Sequence, residues 1–481
     1  MGYLNAIDHE THEGSRGVGL KMTRPRRAAP ADAARVTRAE VNLAHARHNL
    51  LELRACLASS TSAPAAHPAC STDAPAARLA SSADAPAARL ASSTDGSADA
   101  AAARGPLTIA RPAPPRIWAV LKADGYGHGA SQLAVTLEQA GVDGVCVALL
   151  EEGLELRGAG VRVPILVMSG AHGRRRDGLE ALILNDLTPV IYAPDQLEGL
   201  ANAHRYLASL ASKGMRAPVA DRLAIHVKVD TGMGRLGVCD SELDALLSSL
   251  RTTPELRLDG LMTHLACADA ESDAITREQL RRFGAAAEVV ARHGQRIAVR
   301  HAANSAAMLR WPTTHLDVVR PGLALFGVHP SASRTGDIER TPRLKPVMRV
   351  LTEIVALRDL PVGASIGYGH DWTAARPTRV ATIPMGYADG LSRALSNRGS
   401  VLIGGVRAPI VGTVSMDLTM VDVTDIAGVT LRDEVVVLGE QRGRLGSDCI
   451  TAVELAEQSG TISWECLTSI SRRVPRFYRH S

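Results

Sequence analysis

Hydrophobic and polar positions along the chain fall into two rhythms. From Ile117, apolar runs rich in β-branched residues recur near 117–122, 144–150, 164–170, 188–194, 223–230, 258–265, 298–304 and 315–320. Stretches with helical spacing lie between them, for example Ala130–Ala140, Ser241–Leu250 and Ile275–His293. Eight strands alternating with helices predict parallel pairing, and eight is the number that closes a (β/α)8 TIM-type barrel; a doubly wound open sheet is the rival. After about Thr341 the runs become short and are separated by Gly, Pro and Asp: 349–357, 380–383, 400–403, 406–414, 419–423 and 434–438, with one helical pattern at Ala452–Gln458. That rhythm predicts a smaller, mainly-β C-terminal domain, so the fold class is α/β with a β appendage.

The periodicity also marks what is not globular. Residues 1–35 read as a disordered tail, with Met22 as well as Met1 a candidate start. Globular patterning resumes with Arg38-Ala-Glu-Val-Asn-Leu43 and a helical stretch to Cys56. Between about 57 and 113 the composition collapses to Ala, Ser, Pro, Asp and Thr, with the unit APAARLASS nearly repeated from Ala74 to Asp95. Such sequence cannot bury enough apolar surface to offset its ordering entropy. The expected layout is a barrel over 36–340 with a low-complexity insertion, then a β domain over 341–481.

Composition narrows the function. A net charge of +4 over 481 residues and 3% aromatics argue against a nucleic-acid partner. Seven scattered cysteines without a CxxC pair give neither a disulfide framework nor a zinc signature, and no metal site is expected. No run approaches a membrane span and no apolar secretory segment precedes the domain, so a cytoplasmic protein is expected.

Candidate chemistry gathers first at AVLKADGYGHGA, Ala119–Ala130. Lys122 ends an apolar run, where desolvation lowers an amine's pKa and makes it nucleophilic, as a Schiff-base lysine requires. Gly125, Gly127 and Ala130 equally fit a dinucleotide fingerprint, with Glu151 about twenty residues on, and Gly232, Gly234 and Gly237 match it again. The other strand ends shift the balance. The fifth ends in Lys228 to Arg235, the sixth in His264, the seventh offers Asn304 and Ser305, and the eighth ends in Arg320-Pro-Gly322. Barrel chemistry sits at the carboxyl face, with phosphates after strands seven and eight, so the pattern describes a cationic, phosphate-holding mouth.

The motifs KADGYGHG at 122, KVDTGMGRLG at 228, THLACAD at 263, HAANSAA at 301, VRPGLALFG at 319, IGYG at 366, GYADG at 386, GTVSMD at 412 and RVPR at 473 together resemble the alanine racemase family, fold-type III pyridoxal-phosphate (PLP) enzymes. The resemblance runs from about Val36 to the C-terminus apart from the insertion. It implies that Lys122 bonds PLP covalently and is base on the D-alanine face, with Tyr368 the base on the L-alanine face. Two bases on opposite faces are what racemisation of a planar carbanion needs. It implies that Arg235 holds the substrate carboxylate and that Lys228, carbamylated in some family members, orients it. Arg320 would face the pyridine nitrogen, with His264 nearby, and Tyr126, Ser305, Gly322 and Leu323 would contact the phosphate. Met416 would meet substrate through its backbone N–H, with Asp417, Tyr387 and Arg393 around the entrance. Homodimers in which the β domain lends Tyr368 and Met416 to the partner's barrel are implied too.

Three departures stand out. Trp464 occupies the position of a tyrosine that gives its hydroxyl to the phosphate, and an indole has one N–H and no acceptor. Phe326 stands where tyrosine is common, and Ser415 where some members have cysteine. The expected activity is interconversion of L- and D-alanine, supplying D-alanine for peptidoglycan. A racemase of serine, lysine or several amino acids on the same fold is the alternative, and a dinucleotide-dependent oxidoreductase is the rival from another chemistry.

Overall fold

The computed structural model describes residues 35–60, 114–170, 176–215, 219–330 and 341–480. The expected N-terminal tail, apart from Arg35, and all but the first residues of the low-complexity insertion lie outside them. Eight strands form one parallel sheet in which each neighbours the next: Arg116–Val120, Gly144–Val147, Ile165–Val167, Leu187–Ile191, Leu223–Lys228, Leu256–Met262, Val299–His301 and Val318–Val319. Arg116 and Ile117 of the first strand pair with Val318 and Val319 of the eighth. Asp317 N donates to Arg300 O at 3.1 Å and Arg320 N to Ala303 O at 2.9 Å, which joins the eighth strand to the seventh and closes the barrel. The open-sheet rival is thereby excluded.

The helices cover the barrel because each carries one apolar stripe. Asp240–Arg251 buries Leu243, Leu246, Leu247 and Leu250, a spacing of three and four that keeps all four on one face. The helix Leu43–Ser60 runs past Cys56 into the first residues expected to be low-complexity, and buries Leu43, Leu50, Leu53 and Leu57. It is fixed by buried Asn49, whose amide donates to Leu325 O at 3.0 Å and Lys345 O at 2.8 Å while its carbonyl accepts from Lys345 N at 2.7 Å.

The C-terminal region has its own core around Val350, Leu351, Val401, Leu402, Val435 and Val436. Its main sheet runs Val406–Pro409, Ser400–Ile403, Glu434–Arg442, Met348–Glu353, Arg38–Asn42, Arg476–Arg479, with Ser447–Ile450 beside Glu434–Arg442. The strand Arg38–Asn42 lies in this sheet although it precedes the barrel in sequence. It pairs antiparallel with Met348–Glu353 and parallel with Arg476–Arg479. A three-stranded sheet (Ala356–Leu360, Thr378–Ile383, Thr419–Asp422) and a hairpin (Ser365–Ile366 with Trp372–Thr373) complete the region. The helix Ser463–Ser469 brings Trp464 against both cores.

Candidate active site

The first barrel strand ends at Val120, and Lys122 follows two residues later, opening a tight turn instead of ending the strand. Ala123, Asp124, Gly125, Tyr126 and Gly127 all have positive φ, at 53°, 54°, 61°, 53° and 78°. A left-handed conformation costs an L-residue roughly 1–2 kcal/mol, so three non-glycine residues store roughly 3–6 kcal/mol here. Side chains from several elements hold the turn. Glu152 accepts from Ala123 N at 2.5 Å, the Asp124 carboxylate accepts from Ala130 N at 2.8 Å, and the His128 ring lies 2.8 Å from Tyr126 O and 3.0 Å from Gly125 O through Nδ1. The Asp124 contact also decides against the dinucleotide fingerprint. A phosphate would have to sit where a carboxylate already caps the helix Ala130–Gln139.

Beyond this turn, at the carboxyl ends of the strands, lies a cavity of about 530 Å³. Of the residues singled out from sequence, Lys122, Tyr126, His264, Asn304, Ser305, Arg320, Gly322, Leu323 and Trp464 line it. Met168, Met233, Leu265, Asp269 and Ile462 line it too and were not foreseen. Asp269 closes the THLACAD motif, and that motif was the only available signal for it. Ser305 Oγ accepts from Gly322 N at 2.8 Å and from Ala324 N at 3.4 Å, which ties the ends of strands seven and eight together. Asn304 caps the short helix Ser305–Arg310 through Oδ1, accepting from Ala307 N at 3.0 Å. Gly322 has no room for a side chain, since a Cβ there would lie 2.4 Å from Tyr126 Oη. Phe326 is packed between Tyr126 and His128, with ring centroids 4.8 and 4.5 Å apart, in an apolar setting where a phenol would need a partner.

The cavity wall is cationic. Arg320 is 3% exposed and has no carboxylate partner among the described residues. It donates to Thr263 O at 2.9 Å and Ala302 O at 3.2 Å, and to His301 Nδ1 at 2.7 Å. Because a guanidinium only donates, His301 Nδ1 accepts, its Nε2 carries the proton, and that proton points at His226 Nδ1, 2.8 Å away. Sequence reasoning put His264 near Arg320, and both line the cavity; the histidine hydrogen-bonded to Arg320 is His301, which the sequence did not single out as a site residue. Burial lowers Arg320 to about 10 and, with the nearby Arg320 charge, His264 and His226 to about 3, so both imidazoles are neutral at pH 7. Solvent reaches Lys122 through the open mouth, yet crowding by the walls and then the Arg235 charge lower its amine's pKa, with Glu152 opposing. Buried Lys228 is pushed down to about 8 by desolvation, then by Arg235 and Arg320. Arg235 sits on an exposed loop shaped by Asp230, whose Oδ1 accepts from Gly232, Met233 and Gly234 N at 2.9, 2.8 and 3.1 Å.

The other expected residues gather elsewhere. Tyr368 is 74% and Met416 52% exposed on the β domain, and neither lines this cavity. Tyr368 stands between Gly367 and Gly369, with φ of 78° and 74°, and its carbonyl accepts from Thr413 Oγ1 at 3.2 Å. Tyr387 N donates to Ser415 O at 3.0 Å and Ala388 N to Met416 O at 3.1 Å, so GYADG braces GTVSMD. Exposed Arg393 begins the turn Arg393–Leu395, and Ser396 Oγ just beyond accepts from Val414 N at 2.9 Å. Asp417 is paired with Arg473 at 2.6 Å.

A parallel barrel whose strand ends carry a lysine and an arginine into one cavity, joined to a β domain, defines a class: barrel enzymes with their chemistry at the carboxyl face. Comparison with known proteins places the chain within that class. Residues 107–330 match the alanine racemase N-terminal domain and 347–478 the alanine racemase C-terminal domain. The chain is 52% identical over 445 residues to an alanine racemase of Sorangium cellulosum, covering 92% of this chain and 99% of that protein. It is 41% identical over 364 residues to one of Symbiobacterium thermophilum, covering 76% and 90%. Among solved structures, alanine racemase from Streptomyces coelicolor superposes with a TM-score of 0.73 at 29% identity, covering 94% of this chain and 100% of that one. That from Bacillus anthracis, solved with bound L-Ala-P, gives 0.73 at 28% identity, covering 93% and 96%. The chain belongs to the alanine racemase family, PLP-dependent enzymes that interconvert L- and D-alanine.

Proposed function

We propose that Lys122 bonds PLP and that alanine is racemised at the mouth of the barrel between two bases, Lys122 and Tyr368. The observation that carries this reading is Arg320, a buried cation without a carboxylate partner among the described residues, lining the same cavity as an amine of lowered pKa. The donor set fits the cofactor: the Ser305 hydroxyl, the Leu323 backbone, Tyr126 and the Gly322 N–H, which here donates to Ser305 Oγ and would have to turn, for a phosphate, Arg320 for the ring nitrogen, and His264, Asn304 and Trp464 around it. When bound, PLP supplies the electron sink that lets the α-proton of alanine leave. Lys122, with an amine that deprotonates below its usual range, exchanges that proton on the D-alanine face. Arg320 keeps its own proton, so it would hold the cofactor's ring nitrogen as an unprotonated acceptor. Arg235 holds the substrate carboxylate with a planar fork, and Lys228 supports it.

Tyr368 lies outside this chain's cavity and is largely exposed, which supports a homodimer in which the partner subunit's Tyr368 and Met416 complete the site. Tyr387, Asp417 and Arg393 then frame the entrance. The barrel (to about 340) and the β domain (341–481, joined by the strand Arg38–Asn42) are the two working units, and the enzyme supplies D-alanine for peptidoglycan in the cytoplasm. Borohydride reduction followed by peptide mass analysis tests the anchor: a pyridoxyl group on Lys122 is expected, and its absence or another location refutes the reading. Tyr368→Phe should abolish α-proton exchange preferentially with L-alanine. Mixing Lys122→Ala with Tyr368→Phe protein should restore activity through hybrid dimers, and no recovery despite subunit exchange would refute the shared site.

A further inference from the structure

The activity leaves one motif of the sequence, Arg473-Val-Pro-Arg476, without a task. Arg476 opens the strand Arg476–Arg479 and is half-buried. Its guanidinium contacts four backbone carbonyls and, among the described residues, pairs with no carboxylate. Nε donates to Gly127 O at 3.0 Å, Nη1 to Ser471 O and to Val474 O at 2.6 Å, and Nη2 to Ile470 O. Gly127 is the last residue of the left-handed turn that begins after Lys122. Ile470 and Ser471 directly follow the helix Ser463–Ser469 that carries Trp464.

The same two segments are in backbone contact. A Cβ at Gly127 would lie 2.5 Å from Leu467 O, and one at Gly129 would lie 1.8 Å from Tyr478 Oη. A left-handed run persists only where its surroundings over-determine it. Glu152, Asp124 and His128 fix the turn from within the barrel, and Arg476 is the cation that fixes it from the β domain. A rigid planar fork can hold two segments at a set spacing, and a lysine ammonium cannot.

We propose that Arg476 is a positioning residue: its guanidinium clamps the turn bearing Lys122 to the end of the segment bearing Trp464 and so sets two adjoining walls of the cavity. Its consequence for cofactor binding rests on the assignment of PLP to Lys122, while its ordering of the turn does not.

The test uses full-length protein with Arg476→Ala and Arg476→Lys. In cofactor-free protein, hydrogen exchange of peptides spanning 122–129 should accelerate about tenfold in both variants, the factor that one charged-donor hydrogen bond corresponds to, while peptides spanning 144–147 and 256–262 stay at wild-type rates. PLP affinity, read by titration, should fall by a similar factor. Added guanidinium ion at low millimolar concentration should restore Arg476→Ala towards wild type and leave Arg476→Lys unchanged. Wild-type exchange at 122–129 in both variants, equal acceleration throughout the barrel, or full rescue by lysine would each overturn the proposal. If neither variant folds, the Arg476 Nε–H of wild-type protein decides by NMR: slow exchange supports the clamp and free exchange overturns it. Failure of the Lys122 assignment would show separately, as a misplaced borohydride label with the exchange result intact.

Discussion

Gly322→Ala tests the packing of the cavity most directly. The added Cβ would lie 2.4 Å from Tyr126 Oη and 3.0 Å from Cζ, where ordinary contacts begin near 3.4 Å. Tyr126 cannot retreat, because its buried ring lies against Phe326, which is 2% exposed and stacked on His128. Overpacking of this kind costs about 1–3 kcal/mol. At roughly 1 °C per kcal/mol for a chain of this size, the thermal midpoint of the cofactor-free protein should fall by about 1–3 °C. PLP affinity should fall as well, since Gly322 N would leave Ser305 Oγ. Tyr126→Phe deletes the worst contact and keeps the one to Cζ, so the double variant should recover about 1–2 kcal/mol of the loss. The assay is a double-mutant cycle on thermal midpoints and PLP titrations. A Gly322→Ala protein with unchanged midpoint, or strictly additive costs in the double variant, would refute the reasoning.

Trp464→Tyr should tighten PLP binding about tenfold or more in equilibrium titration, because a hydroxyl bonded to an anion is worth about 1.5–3 kcal/mol; equal or weaker binding would show that the indole is not a handicap. Asp389→Ala should lower stability by about 3 kcal/mol, measured by chemical denaturation, since it removes a fully buried carboxylate that accepts from Arg35 at 2.6 and 2.7 Å and lies 3.4 Å from Arg473. Lys228 gives a pH signature. Its folded pKa, about 8, lies below the 10.5 of the unfolded chain, so the unfolded state binds the extra proton between those values. Stability therefore gains a rising component from pH 8 to 10.5, and Lys228→Met should remove it in thermal scans against pH.

The eight barrel strands and the main helices were legible because burial on one or both faces leaves a local hydrophobic pattern, and the predicted centres match the observed elements. The motif residues lining the cavity were legible for a related reason, since a barrel gathers its strand ends at one face whatever their separation in sequence. Other features left no local trace. Arg38–Asn42 joins a sheet whose other strands begin some three hundred residues later, and nothing in its five residues names that partner. The His301 contact to Arg320 depends on how two strand ends lean together after closure.

Sequence alone thus determined the two rhythms, the order of elements and the set of chemically unusual residues, because each is encoded within a few neighbours. Only the tertiary structure decided three things. Ala123, Asp124 and Tyr126 adopt left-handed backbone, since distant groups supply what these residues would not choose by themselves. Arg476 reaches across from the β domain to hold that turn. Lys122 and Tyr368 lie in different places on one chain, because the barrel and the β domain each bury their own core and carry their motifs with them.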